Sequence, residues 1–316
     1  MKEKGAYNLS GGFTRENLTE ETIFETPEQE RRMQDLEQEI AALTEEVKAV
    51  TDEQFAAGRA AWEEATIAAV GAGQLAWSVQ KPLSAVSLAG TPLMIEPDGS
   101  SVMAEGKNPR HDTYVVTISA PLPRITAVRI EPLTDPRLPG DSVSRSGSMF
   151  FISEIEVGGT APGAPSATPL RIVEARTSGG TEVGYPVAAV VDGDPGTALA
   201  FIRRRVGGIV LQLAEPWTGG PDASLTIRIR HSEQHPDQHL GRFRVSLHAW
   251  PEPDAHPNSV AENVLKALQT PAAERKPAQE KEIAVYYRTI APERAEWRAR
   301  RTAATNARDY LIRALP

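Results

Sequence analysis

Apolar residues recur at helical spacing early in the chain and predict one long helix. Thr26 and Gln29 flank Pro27 in the arrangement of a capping box, which marks a helix start. Beyond it, apolar side chains follow alternating spacings of three and four, the period of a heptad seam: Met33, Leu36, Ile40, Leu43, Val47 and Val50. The pattern predicts a long acidic amphipathic helix over residues 27–73, preceded by an irregular arm over residues 1–26.

This heptad seam has two interpretations. It can pack against its own chain, which is the usual outcome for so short a seam. It can instead hold two copies of the chain together as a coiled coil, so that residues 33–50 form a homodimer interface.

The pattern changes to a period of two in residues 74–253. Six short β-rich runs lie there, several of which alternate apolar with polar residues: residues 114–118, 127–130, 150–157, 208–213, 225–229 and 243–247. Gly, Pro, Asp and Ser clusters separate them, and no helical pattern lies between them. The predicted fold class is mainly β, an antiparallel β-sandwich or jelly roll flanked by N-terminal and C-terminal α-helices. Residues 158–169 are small and proline-rich, which predicts a flexible loop.

Helical patterning returns in residues 254–316, which we interpret as a basic helical tail. Residues 1–64 hold 7 basic and 16 acidic side chains, a net charge of −9. Residues 271–316 hold 10 basic and 6 acidic side chains, a net charge of +4. Because opposite charges beside an apolar seam select its partner, we predict that the tail packs against the N-terminal helix.

The overall composition argues against several classes of function. A net charge of −8 argues against a general nucleic-acid binder. The absence of cysteine excludes disulfides, thiolate metal sites and cysteine nucleophiles. No apolar run approaches the roughly 20 residues that span a bilayer, and residues 1–12 have no signal-peptide core. The chain is therefore expected to be cytoplasmic or a segment of a longer exported protein.

The segment from Tyr185 to Thr197 contains the most informative polar cluster. Asp192, Asp194 and Thr197 share a tight loop that places carboxylates and backbone carbonyls around a small space. Calcium takes oxygen ligands of this kind, so these three residues are candidate metal ligands. The same residues suit an Asx turn in which the two carboxylates cap backbone amides. Both interpretations are open at this point.

Seven segments in order along the chain carry a family resemblance: residues 112–114, 125–131, 138–140, 151–157, 189–197, 239–246 and 286–288. The segment 189–197 resembles the loop of discoidin, or coagulation-factor type C, galactose-binding-like domains. The whole order is similar to the accessory sandwich of large planctomycete surface proteins that contain a cytochrome-c-like module and domains of unknown function. This resemblance spans about residues 28–300. It implies a binding module in an extracytoplasmic protein, periplasmic or at the cell surface.

Two departures from that family concern loops. Residues 146–148 read Ser-Gly-Ser where Asn-Gly-Asn is usual, which changes a polar loop contact. Residues 198–200 read Ala-Leu-Ala where a tryptophan commonly follows the loop, which removes an aromatic platform.

Sugar binding needs aromatic faces and planar polar side chains, and the sequence offers a few of each. Tyr185 and Trp217 are candidate stacking residues, as are Trp77 and Trp250, and all four also suit core packing. Arg203, Arg204 and Arg205 form a basic run that suits local carboxylates or an anionic group such as sulfate or uronate.

Two further patterns concern metal binding and catalysis. His231, His235 and His239 would share a zinc ion if they lay on one helix, but Pro236 interrupts the run and the flanks predict strands. Glu154 and Glu156 lie on one face of a strand, as a glycosidase pair or as the wet face opposite Ile155, and the wet face is the favoured interpretation.

These observations predict a non-catalytic ligand-binding module, with carbohydrate as the ligand and calcium as a possible structural ion. The alternatives are a protein–protein docking module assisted by a coiled coil, and a carbohydrate-active enzyme. Predicted partners are a carbohydrate or a protein, with neither nucleic acid nor a membrane span.

Overall fold

A computed structural model describes residues 26–48, 52–147, 149–201, 205–251 and 260–314. Two helices precede the strands, α1 (Pro27–Lys48) and α2 (Asp52–Gly71), and three follow, α3 (Glu262–Leu268), α4 (Pro277–Ile290) and α5 (Ala295–Arg313). Between them lie β1 (Ser78–Val79), β2 (Pro82–Ser87), β3 (Leu93–Ile95), β4 (Ser101–Ala104), β5 (Thr113–Ser119), β6 (Ile125–Leu133), β7 (Ile152–Thr160), β8 (Thr168–Leu170), β9 (Ile172–Thr177), a 3₁₀ helix (Val187–Val191), β10 (Ile209–Trp217), β11 (Ser224–His231) and β12 (Arg242–His248). The arm predicted over residues 1–26 lies, except for Thr26, outside the described residues.

The strands form two antiparallel sheets. In the described residues, one sheet has the order β3-β4-β12-β6-β10-β9, with β1 beside β12, and the other has the order β2-β5-β11-β7-β8. The pairings nest along the chain: β4 with β12, β5 with β11, β6 with β10, and β7 with β8. A long hairpin wrapped into two sheets in this nested order is a jelly roll. The predicted antiparallel β-sandwich with helices at both ends is confirmed.

The main core lies between the two sheets and follows from alternation along the strands. In β5, Tyr114, Val116 and Ile118 are buried while the residues between them are half-exposed. They join inward-facing residues of the other sheet, including Ile130 and Phe243, in one apolar cluster. Burying each such side chain contributes about 1.5–3 kcal/mol, so the period-two pattern both predicts and stabilises the sandwich.

The outer face of the larger sheet is covered, which period two alone does not predict. On β6 and β10, Ala127 and Val210 are buried against Trp77. The guanidinium of Arg129 lies 4.8 Å from the centroid of the Trp77 ring. Trp77 and Arg129 therefore cover this face, and Trp77 is a packing residue here.

The heptad seam packs against its own chain. Met33, Leu36 and Leu43 are buried, and α1 contacts α5, where Trp297 Nε1 donates a 2.8 Å hydrogen bond to the backbone carbonyl of Leu43. The tail and the N-terminal helix are thus packed together. A pair of opposite charges joins them, Arg300 and Glu46 at 3.9 Å, and an exposed pair of this kind contributes little to stability.

The predicted helix over residues 27–73 is described in two parts, α1 and α2, which have different partners, and residues 49–51 between them lie outside the described residues. Helix α1 contacts α5, and α2 contacts α4. Trp62 on α2 lies against Tyr286 and Tyr287 of α4, with ring centroids 5.8 and 5.6 Å away. The side chains of Val47 and Val50, at the end of the predicted seam, lie outside the described residues.

The bounds predicted for the flexible loop, residues 158–169, differ from the structure at both ends. Strand β7 continues to Thr160, with Gly158 and Gly159 opposite Thr226 and Leu225 of β11, and β8 begins at Thr168. Glycines carry no side chain from which a period of two can be read, and the strand ladder decides their conformation. Only residues 161–167 connect the two strands.

None of the helices in the described parts of the chain combines the length and the apolar character that crossing a bilayer requires.

Candidate functional site

A loop of residues 192–197, here called the Asp192 loop, follows the 3₁₀ helix at one end of the sandwich. Asp192 Oδ1 accepts hydrogen bonds from the backbone N–H of Asp194 at 2.9 Å and from Thr197 Oγ1 at 3.1 Å. Asp192 Oδ2 accepts from the same hydroxyl at 2.9 Å, and Asp194 Oδ1 accepts from the N–H of Gly196 at 2.8 Å. Both carboxylates therefore cap donors of their own loop, as in an Asx turn.

This geometry bears on the predicted calcium site. A cation would compete with the donors that already point at Asp192, because each hydrogen-bond donor presents positive charge to the oxygen. Among the described residues, no group of three or more His, Asp or Glu side chains is placed to hold a metal ion. The arrangement favours the turn over the metal site, and calcium binding by Asp192, Asp194 and Thr197 stays a prediction.

Glu154 of β7 supports the Asp192 loop from the sheet side. Its Oε2 accepts a 3.2 Å hydrogen bond from the backbone N–H of Gly193. Burial, together with the negative charges of Asp192 and Glu156, raises the pKa of Glu154 to about 7. Glu154 is therefore a carboxyl group beside the loop that exchanges a proton near neutral pH.

Glu156 has a different environment from Glu154. It is exposed and lies 3.9 Å from Arg228 and 3.8 Å from Arg230 on the neighbouring strand β11. Exposed pairs of this kind contribute little to stability. They do, however, give the outer face of the smaller sheet mixed charge.

The last turn of α5 completes the site from the other end of the sequence. The hydroxyl of Tyr310 donates a 2.8 Å hydrogen bond to Asp192 Oδ2. Arg313 donates to the side-chain oxygen of Gln234. An open pocket of ≈ 440 Å³ lies where this turn meets the loop, lined by Asp192, Asp194, Thr197, Tyr310, Arg313 and Ala314. Burial and the bond to Asp192 raise the pKa of Tyr310, which keeps the phenol protonated as the donor.

Tyr185 lies beside this pocket, but one face of its ring is covered by Arg313 and is not available for stacking. The guanidinium of Arg313 lies 4.6 Å from the centroid of its ring, and its hydroxyl is 3.1 Å from His235 Nε2. Phe151 stacks on His235 with ring centroids 3.7 Å apart and meets the edge of Tyr185. Burial and the charge of Arg313 lower the pKa of His235, so its neutral form bonds Tyr185. The structure places Tyr185 at the site as a hydrogen-bonding residue.

Trp217 and Arg205, two other predicted ligand-binding residues, have different surroundings. Trp217 is partly buried against the main core and covers Gly159, where an added Cβ would lie 2.5 Å from its ring. Gly159 is five residues along β7 from Glu154, which is about 17 Å. Arg205 is exposed, and its backbone carbonyl accepts from Gly180 N–H at 2.8 Å. Arg203 and Arg204 lie outside the described residues.

The histidines at intervals of four are also divided between two environments. The rings of His231 and His239 lie 4.7 Å apart, whereas His235 stacks on Phe151. Both nitrogens of His231 are used: Nδ1 is 3.0 Å from the carbonyl of Asp112, and Nε2 accepts from Leu240 N–H at 3.1 Å. The strand geometry therefore does not form the zinc site considered from their spacing.

Three residues of the site carry no local sequence signal. Tyr310, Arg313 and Gln234 lie in segments whose patterns predict a solvated helix and a loop. They meet the Asp192 loop only because α5 packs along α1 and ends at the rim of the sandwich. The opposite charges of the two terminal regions were the sole indication that this helix docks anywhere.

Comparison with known proteins gives little. No family model matches the chain, and no curated protein matches it. A solved structure described as "Structural basis for the promiscuous specificity of the carbohydrate-binding modules from the beta-sandwich super family" is similar over 54% of this chain and 54% of its own, about half of each. The two share 9% sequence identity with a TM-score of 0.20.

Proposed function

We propose that the chain is a non-catalytic binding module whose ligand is a carbohydrate. The ligand would contact what we call the rim surface, formed by the Asp192 loop, Tyr185 and Gln234. One observation carries the proposal: the two carboxylates and the hydroxyl group of the Asp192 loop line an open pocket of ≈ 440 Å³ at this rim. Sugar hydroxyls both donate and accept, so they match a small set of convergent charged and hydroxyl groups. The resemblance of residues 189–197 to galactose-binding-like domains agrees with this choice.

The same resemblance supports a place for the module in a larger extracytoplasmic protein. A calcium ion in that context would be structural, with the Asp192 loop as its candidate site, but the donors around Asp192 favour the Asx turn instead.

The non-catalytic part of the proposal rests on the two glutamates. Glu156 pairs with Arg228 and Arg230 on the exposed sheet face, and Glu154 accepts a hydrogen bond from the loop. A glycosidase needs an acid and a second carboxylate on either side of a bound sugar. Glu154, with its pKa of about 7, has the property of a general acid, so the alternative is tested directly. If the wild type hydrolyses aryl glycosides and Glu154→Gln abolishes that hydrolysis, the protein is an enzyme.

The binding test compares two matched aspartates on a glycan array. Asp194→Asn keeps the size of the side chain and removes its charge at the rim. Asp222→Asn makes the same change in an exposed turn just before β11. Because the C-terminal end of β11 leads to the rim, Asp222 lies at the opposite end of the sandwich. We expect Asp194→Asn to weaken binding about tenfold or more, as for a lost charged hydrogen bond, and Asp222→Asn to leave it unchanged. Absence of binding to any glycan would contradict the proposal.

A docking module is the second candidate, and a different surface favours it. Six large apolar side chains between residues 79 and 95 are exposed, and we call them the apolar corner: Val79, Leu83, Val86, Leu88, Met94 and Ile95. Strands β2 and β3 are edge strands of the two sheets, and edges that lack charged residues invite pairing. Concentration-dependent self-association that Val86→Lys abolishes would support docking. Val285→Lys, on the exposed face of α4, is the control.

A further inference from the structure

Helix α5 connects the helical part of the molecule to the rim surface. Its first half packs on α1 through the bond from Trp297 to Leu43, and its last turn lies on the sandwich. No apolar cluster in the described residues includes a side chain of that last turn. That turn buries Ile312, and its contacts with the rim surface are the polar ones made by Tyr310 and Arg313.

Those polar contacts engage every part of the rim surface. Tyr310 bonds Asp192, while Arg313 lies over Tyr185 and donates to Gln234. The close approach depends on Gly184, which has φ +78° and where an added Cβ would lie 2.6 Å from Cβ of Arg313. The backbone at Gly184 is thus shaped for the docked helix.

Tyr310 occupies an acceptor position of Asp192 when α5 is docked. A carboxylate oxygen accepts about two hydrogen bonds. The N–H of Asp194 donates to Oδ1 and Tyr310 donates to Oδ2, while the hydroxyl of Thr197, which has one proton, lies 3.1 Å from Oδ1 and 2.9 Å from Oδ2. A ligand hydroxyl that reaches Oδ2 from the side of Tyr310 must displace it.

We propose that the last turn of α5 is an intramolecular cover of the rim surface, and that carbohydrate and Tyr310 compete for Asp192. This inference rests on the proposed function and describes the regulation of the same site. The open pocket then lies between the docked turn and the Asp192 loop, where a ligand first meets both. Anything that loosens α5 would increase the affinity of the rim for its ligand.

The test compares two tyrosines that each donate to a carboxylate. Tyr310→Phe removes the hydroxyl on Asp192 and keeps the ring. Tyr287→Phe makes the same change 3.3 Å from Glu293, within the helical region. We expect Tyr310→Phe to bind the best glycan on the array about fivefold more tightly, the factor for ~1 kcal/mol in one hydrogen bond. Tyr287→Phe should bind like the wild type.

Hydrogen exchange of residues 306–314 in the full chain supplies a second measurement without a ligand. Faster exchange there in Tyr310→Phe, together with tighter glycan binding, supports the cover. If the wild type binds a glycan and Tyr310→Phe binds it equally well or more weakly, the proposed cover is overturned, because Tyr310 would then be part of the site. Unchanged exchange also overturns it. If neither protein binds any glycan, the proposed function itself fails, and that result is distinct from the previous two.

Discussion

The hydroxyl of Tyr310 donates a 2.8 Å hydrogen bond to Oδ2 of Asp192, a residue 118 positions earlier in the chain. The helix that carries Tyr310 also carries Trp297, which bonds the backbone of α1. The N-terminal helix, the sandwich and the tail are therefore connected through α5. Substitutions at the rim are expected to change the stability of contacts that lie far from them in sequence.

Gly184→Ala should destabilise the protein more than Gly193→Ala. Both glycines have positive φ, +78° and +76°, so either alanine costs about 1 kcal/mol of backbone strain. Only at Gly184 does the new Cβ meet Arg313, while nothing lies within 4 Å at Gly193. We expect a loss of about 2–3 kcal/mol for Gly184→Ala and about 1 kcal/mol for Gly193→Ala by urea unfolding. Equal losses would show that Arg313 does not approach this backbone.

Gly159→Ala tests whether Trp217 is a packing residue. The alanine would place a Cβ 2.5 Å from the indole ring, whereas nothing lies within 4 Å of a Cβ at Gly220. We expect Gly159→Ala to lower the free energy of unfolding by about 1–3 kcal/mol, as overpacking does. Gly220→Ala should change it by less than about 0.5 kcal/mol. A mild effect at Gly159 would mean that the ring moves freely and is available to a ligand.

Glu154→Gln should stabilise the protein at alkaline pH. The folded state raises the pKa of Glu154 to about 7, so its contribution to stability is complete below pH 4.5 and is lost as pH rises through 7. Because the group is only partly buried, we expect about 1–2 kcal/mol. Glutamine mimics the protonated acid and should raise Tm at pH 8 but not at pH 5. Glu156→Gln, at an exposed site in the same strand, should show no such pH-dependent gain.

The buried histidines should make the protein sensitive to acid. Burial lowers the pKa of His231 to about 3 and also lowers those of His239 and His248. The contribution of these neutral histidines to the free energy of unfolding is complete above about pH 6.5, the pKa of histidine in the unfolded chain, and is lost as the pH falls below that value. His231 alone accounts for up to ~2 kcal/mol between pH 6.5 and pH 5. Urea unfolding of His239→Gln should depend less on pH than the wild type, while exposed His111→Gln should match the wild type.

Removal of divalent cations should leave stability unchanged if the Asp192 loop is an Asx turn. The donors around Asp192 satisfy its carboxylate without a metal. We expect Tm in EDTA and in millimolar calcium to agree within about 1 °C. A rise of several degrees with calcium, absent in Asp194→Asn, would establish the metal site instead.

Most central strands were predictable from the sequence, and edge strands were not. β5, β6, β7, β10, β11 and β12 occupy central positions in the two sheets, where the core requires apolar residues on the inward face. β2 and β3 are edges, and residues such as Leu83, Val86 and Met94 are apolar yet exposed, so no period of two can be read there.

The candidate site was predictable only as far as residue type marks it. The residue types of Asp192, Asp194 and their neighbours are enough to predict a tight polar loop. Whether such a loop holds a metal or caps its own amides depends on where its donors lie, and one of them, Tyr310, comes from the far end of the chain. The role of Trp217 could not be assigned from the sequence, because an aromatic side chain has the same signature in a binding site and in a core.

The nested strand order also constrains how the protein is made. β12 lies between β4 and β6 in the larger sheet, yet it is the last strand to be synthesised. At about 5–20 residues per second, a ribosome needs on the order of ten seconds to proceed from β4 to β12. During that time β4 and β6 lack the neighbour that joins them. The nascent chain thus presents unpaired strand edges, and chaperone dependence during synthesis is the expected consequence.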